Sequence, residues 1–116
     1  MNWLYLSAGF MVVTAAIHSY GGEKRLISPL LTINQGILAV PFSRRILRSA
    51  WHLTSIFMLL TAAVMVWPQT ALSLKAMTAG FWLVLGLFSL LSSRGKHIGW
   101  PTLTLAGVSG LLGSVG

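Results

Sequence analysis

Apolar residues run along this chain in four long blocks, Trp3–Tyr20, Ile46–Trp67, Ala71–Leu91 and Ile98–Val115, divided by short polar corners. Each block holds roughly 18–22 residues, and at ~1.5 Å per residue a helix of that length crosses a hydrocarbon core of ~30 Å. A fifth apolar stretch, Pro29–Val40, is interrupted by Asn34, Gln35 and Gly36. As a helix it would reach only ~18 Å, too short to span. The pattern predicts an all-α membrane protein: a four-transmembrane-helix bundle with a short interfacial or re-entrant helix between helices 1 and 2. Residues 1–116 form a single integral membrane domain on this reading.

The corners set the expected boundaries. Gly21-Gly22 predicts a left-handed end to the first helix near Tyr20. Ser28-Pro29 has the form of an N-cap and first helical position for the short segment, which Pro41 closes. The second helix starts in the basic run Ser43–Arg48 and stops at Trp67-Pro68. Gln69-Thr70 then makes a tight turn, which predicts that the second and third helices are antiparallel neighbours. The third ends at Ser92–Lys96, and the fourth begins near His97. Within it Gly107, Gly110, Gly113 and Gly116 recur every three residues. Such spacing suits close helix packing, either inside the bundle or against another protomer or a larger membrane complex.

Composition narrows the picture further. Apolar residues make up 55% of the chain and charged residues 8%, too little polar surface to clothe a small soluble domain. The net charge of +7 is unevenly placed. Four crossings put Lys24, Arg25, Arg44, Arg45, Arg48, Arg94 and Lys96 on one side and only Lys75 on the other. Positive-inside bias explains that asymmetry without nucleic acid, so a nucleic-acid-binding function is set aside. The same bias predicts a bacterial inner membrane location with both termini periplasmic. The N-terminal run Met-Asn-Trp-Leu-Tyr-Leu lacks a basic n-region, so Trp3–Tyr20 is expected to be retained. With no cysteine, disulfides, thiolate metal sites and Cys nucleophiles are excluded.

Polar residues recur at helical spacing within the apolar blocks: Ser7, Thr14 and His18; Arg48, His52 and Ser55; Lys75, Trp82, Gly86, Ser89 and Ser93; His97, Pro101 and Thr104. Polar groups facing lipid are costly, so these stripes should face the bundle interior. His18, Glu23, His52 and His97 all fall near the basic side. Three imidazoles and one carboxylate suit a transition metal, Zn or Fe before Ni or Cu. His18 and His52 at matching depths also suit the axial positions of a haem. The alternative is a structural hydrogen-bond cluster in which each ring satisfies a nearby group. Arg44, Arg45 and Arg48 are candidates for contact with anionic lipid or with an anionic substrate.

The runs His18-Ser19-Tyr20-Gly21-Gly22-Glu23 and Ser49-Ala50-Trp51-His52-Leu53 resemble those of small bacterial membrane proteins with a His-Ser-x-x-Gly-Glu corner and a later Trp-His pair. The resemblance covers about the first half of the chain and brings no established activity. Two functional classes remain open: a membrane protein with a His/Glu metal or cofactor site on the cytoplasmic side, or a non-catalytic accessory subunit docking through the Gly-rich fourth helix.

Overall fold

The computed structural model describes residues 2–115; Gly116, the last glycine of the stripe, lies outside the described residues. The described residues form four helices: α1 (Trp3–Leu30), α2 (Pro41–Val66), α3 (Leu72–Ser93) and α4 (Trp100–Ser114). The described residues contain no strand. The helices α1, α2 and α3 are long and apolar enough to cross a membrane. At 15 residues, α4 reaches only ~22 Å. The bundle measures 53 × 32 × 18 Å.

The helix α1 is longer than its apolar block. Gly21-Gly22 does not end it: Gly22 has φ −65° and ψ −41°, right-handed values, and the chain stays helical to Leu30. It does so by widening into i→i+5 turns over Ile17–Gly21 and Glu23–Ile27. The reason lies across the bundle. A β-carbon at position 22 would collide with the indole of Trp51. Gly22 therefore supplies close approach rather than a left-handed cap. Ser28 and Pro29 belong to the last turn of α1 instead of opening a new helix. The Ser28 amide already reaches back five residues to the Glu23 carbonyl, so the turn ahead of the proline is wide where proline has no N–H to give.

No interfacial helix forms over 29–40. After a turn at Leu31 the chain is irregular, and Gly36 takes a positive φ of 56°, a conformation that favours glycine. A single 3₁₀ turn follows over Gly36–Ala39. Pro41 then opens α2 at its first turn rather than closing a preceding helix, so α2 starts earlier than the basic run alone suggests. The Arg44 guanidinium donates to the carbonyls of Leu38 (3.1 Å) and Ile33 (3.4 Å) and holds the irregular link against the start of α2.

Packing order differs from chain order. The helix α1 packs against both α2 and α4, and α4 packs against both α1 and α3. The short connection does keep α2 and α3 together near their shared end, where Trp82 donates from Nε1 to Thr61 (3.1 Å) and Met65 and Ala79 share one core. Elsewhere α1 and α4 stand between them. The end of α3 is set by Arg94 at φ 53° and Gly95 at φ 79°, with the Gly95 amide on the Leu90 carbonyl at 2.9 Å. His97 and Ile98 lie in the following turn, and α4 begins three residues after His97, with Pro101 in its first turn.

Inside and outside are composed unusually. Buried positions are mostly small or polar: Ser7, Ala8, Thr14, Ala15, Ser55, Ala62, Lys75, Ala79, Ala106 and Ser109. Many large apolar side chains are exposed, among them Phe57, Phe81, Phe88 and Leu91. Much of each polar stripe faces inward, as in Ser7 donating to the Ala106 carbonyl (2.7 Å) between α1 and α4, whereas Arg48 and His97 at the basic end are exposed. Small residues let backbones approach closely when the surroundings are as apolar as the side chains themselves. The described glycines of α4 are all occupied in this way: Gly107 faces the Leu83 backbone, Gly110 faces Ala79, Met65 and Ser7, and Gly113 faces Leu4.

Candidate functional site

The second half of α1, the start of α2 and the α3–α4 turn converge at one end of the bundle, which holds seven of the eight basic residues. Two adjacent pairs of residues lock α1 to α2 there. His18 stacks on Trp51 with ring centroids 4.1 Å apart and planes 10° from parallel. Trp51 Nε1–H donates to the His18 carbonyl (2.8 Å), and His18 Nε2–H donates in return to the Trp51 carbonyl (3.2 Å). A carbonyl can only accept, so the neutral His18 ring carries its proton on Nε2.

The next residue of each pair makes the second contact. Ser19 Oγ lies 3.0 Å from His52 Nδ1 and 2.6 Å from Ser55 Oγ. His52 Nε2 faces Glu23 Oε1 at 3.4 Å, a long hydrogen bond. That carboxylate is held more firmly by Arg48 Nε (2.7 Å), while Ser28 donates to Oε2 (3.2 Å). A chain of hydrogen bonds thus runs from Ser55 through Ser19, His52 and Glu23 to Arg48. Its sense follows the ring. In neutral His52, Nε2 gives its proton to the carboxylate and Nδ1 accepts from Ser19. In the cation Nδ1 donates, and the Ser19 hydroxyl turns to Ser55. We expect imidazole ¹⁵N shifts to report the Nε2–H tautomer for neutral His52, and Glu23→Ala to give a mixture of tautomers. A wild-type ring protonated on Nδ1 alone would contradict the network.

His97 takes a different role. Its Nδ1 accepts from the Gly99 amide (3.1 Å) and lies 2.9 Å from Ser89 Oγ, so it closes the turn between α3 and α4. In the neutral ring this leaves the proton on Nε2.

Of the four expected metal ligands, the fold pairs Glu23 with His52 only. Among the described residues no three histidine or carboxylate side chains are grouped to hold a metal ion. The two expected axial ligands are also separated in role: His18 lines a cavity described below, and His52 does not. Both His52 ring nitrogens already face protein partners. Arg44, Arg45 and Arg48 do come together, with Leu31, Pro41 and Ser49, around a shallow depression of about 300 Å³. Their roles diverge, however: Arg48 binds Glu23, and Arg44 holds the 29–40 link.

A larger cavity, about 620 Å³, opens between α1, α2 and the start of α4. Its deeper wall is Thr14, Ile17, Met58 and Leu103, and Trp51 and His18 form one flank. Lys24, Arg25, Lys96 and His97, all exposed, stand around it, and no carboxylate side chain lines it. Lys24 is steadied by the Tyr20 ring, 4.5 Å below its Nζ.

Sequence reasoning missed Ser19 and Trp51 as partners of the histidines. The available signal was adjacency: His18-Ser19 and Trp51-His52 sit side by side in the chain and engage each other in order across the helices. The chain matches no protein-family model, no curated protein and no solved structure.

Proposed function

We propose that this chain is an integral membrane protein that binds an anionic, membrane-resident ligand at its basic end. Four helices cross a bacterial inner membrane on this reading, with that end cytoplasmic and both termini periplasmic. The apolar exterior and the small, polar interior support the membrane setting. The short α4 lies within the bundle, between α1 and α3, so its backbone needs little help from lipid.

One observation carries the binding reading: the only acidic side chain is internally paired, so the positive charge of the basic end is left uncompensated. Glu23 is shared by Arg48, His52 and Ser28. Lys24, Arg25, Arg45, Arg94 and Lys96 form no ion pair with a described residue. An anion arriving at the headgroup level meets several cations at the mouth of an apolar cavity, each worth about 1 kcal/mol near such a surface. The histidines act here as hydrogen-bonding groups. Because the α4 glycines are filled by the bundle's own helices, the accessory-subunit alternative gains nothing from them.

The test has two parts. The chain has no cysteine, so single-cysteine variants label without background. With a membrane-impermeant maleimide, Lys24→Cys, Ile46→Cys and Gly95→Cys should react from one common side and Thr70→Cys from the other. Protein purified without a histidine tag should retain anionic over neutral lipid and hold substoichiometric transition metal. Labelling of positions 24 and 46 from opposite sides defeats the topology. One equivalent of bound metal, lost on His52→Ala, would favour a metal centre instead.

A further inference from the structure

We infer that the cavity between α1, α2 and the start of α4 is a site for a phosphate monoester carried on a hydrocarbon chain, with the phosphate at the Lys24–Arg25–Lys96–His97 rim and the chain against Ile17, Met58 and Leu103. This rests on the reading of the basic end as an anion site and names the ligand class and the place. Three features of the cavity lead to it.

Its polarity is graded. The cationic residues are exposed at the mouth, whereas Thr14 is buried and Ile17, Met58 and Leu103 are partly buried. A free anion would use only the mouth, and a neutral lipid only the depth. A ligand with an anionic head and an apolar body uses both. The volume of about 620 Å³ lies within the ordinary range of small-ligand sites.

The number of donors selects phosphate over carboxylate. Two ammonium groups, one guanidinium and one imidazole N–H stand around one opening. His97 presents Nε2–H even when neutral, because Nδ1 is held by the Gly99 amide. A carboxylate brings two oxygens and one charge, whereas a phosphate monoester brings three oxygens and between one and two charges, a closer match to this set.

The flank is also fixed before any ligand arrives. His18 is held flat against Trp51 by the stack and two reciprocal hydrogen bonds, so this wall does not have to be ordered on binding. In a neutral His18 the Nδ1 lone pair accepts; protonation would add a donor to the same flank.

The experiment is a lipid titration of the detergent-solubilised protein followed by native mass spectrometry. The probes are phosphatidic acid, whose head is a phosphate monoester, phosphatidylglycerol, whose head is a diester, phosphatidylcholine and inorganic phosphate. Phosphatidic acid should bind most tightly, with one high-affinity equivalent, and inorganic phosphate should not displace it at comparable concentration. A Lys24→Ala/Arg25→Ala/Lys96→Ala variant should weaken that binding by roughly 100-fold. Leu103→Trp, which fills the apolar depth and leaves the cations in place, should weaken phosphatidic acid and spare inorganic phosphate. An Arg44→Ala/Arg45→Ala variant separates the two levels of the reading. If it abolishes anionic-lipid binding while the cavity variants retain it, the basic end binds anions but this cavity is not the site. Equal retention of phosphatidic acid and phosphatidylcholine by the wild type overturns the anion reading as well. Inorganic phosphate binding as tightly as phosphatidic acid overturns the chain-linked ligand. Unchanged circular dichroism and thermal transition of each variant separate lost binding from lost fold.

Discussion

Gly110→Val should destabilise the bundle by about 3 kcal/mol or more, at or beyond the upper end of ordinary overpacking costs. A β-carbon at this position would sit 2.6 Å from Ala79 Cβ, 2.8 Å from Met65 Cε and 2.8 Å from Ser7 Oγ. Those three atoms belong to α3, α2 and α1, so all four helices meet at this glycine. Relief by moving one neighbour drives it into another, and Met65 is fully buried with no room to swing. Ser7 is fixed in addition by its bond to the Ala106 carbonyl. Gly80→Ala is the matched control. It lies in α3 with nothing within 4 Å of the added carbon, and helix propensity favours the alanine by up to about 1 kcal/mol. Unfolding titrations in mixed micelles should show the valine variant collapsed or much weakened and the alanine variant unchanged or slightly stronger. Equal midpoints for the two variants would mean that the helices do not meet at Gly110.

Trp51→Ala should cost about 2–3 kcal/mol, below the full-burial range for tryptophan because the ring is only half-buried. The indole fills the groove over Gly22, stacks on His18 and donates to the His18 carbonyl. Trp51→Phe keeps an aromatic ring over the glycine and loses the N–H donor, so it should cost about 1 kcal/mol. The two variants also separate packing from hydrogen bonding. A phenylalanine variant as unstable as the alanine variant would place the whole effect in the lost N–H. In the same titration Gly22→Ala should resemble Trp51→Ala, because the added carbon displaces the same ring.

Much of this arrangement was legible in the sequence, for reasons that can be stated. Period and length located the four helices, because an apolar block broken by Gly, Pro and charge has few other ways to fold. The inward stripes followed from the cost of exposing polar groups to apolar surroundings, and Ser7, Thr14, Ser55, Lys75 and Trp82 are buried accordingly. Clustering of the basic residues at one end also followed from helix alternation. The failures share a different cause. Gly21-Gly22 carries the composition of a helix end, yet its purpose is set by Trp51, 29 positions away from Gly22, which no local rule reaches. A separation of 33 positions likewise hid the pairing of Ser19 with His52. Expecting His18, His52, His97 and Glu23 to converge treated depth along the bundle as proximity. Depth did not show which partner each side chain takes: Ser19 and Glu23 meet His52, whereas His18 is engaged by Trp51 and His97 by Ser89 and Gly99. The order α2, α1, α4, α3 was likewise hidden, because a short connection constrains only the end at which it sits.

The wide turns of α1 put the two ends of one helix out of phase. A regular helix returns to the same face every seven residues, give or take about 20°. Ser7 and Thr14 keep that beat and are both buried in the bundle, with Ser7 bonded to α4. Each i→i+5 turn inserts extra chain and delays the beat. After Ile17 the helix therefore presents to α2 a set of residues that a uniform winding would have aimed elsewhere. One uninterrupted rod thus packs against both α4 and α2 with its first half and still turns His18, Ser19 and Glu23 onto α2 with its second, and it needs no hinge to do so. The phase is carried by single residues. Shortening this stretch by one would rotate everything beyond it by about 100°, and Glu23 would swing away from Arg48 and His52 while the apolar content of the helix stayed the same.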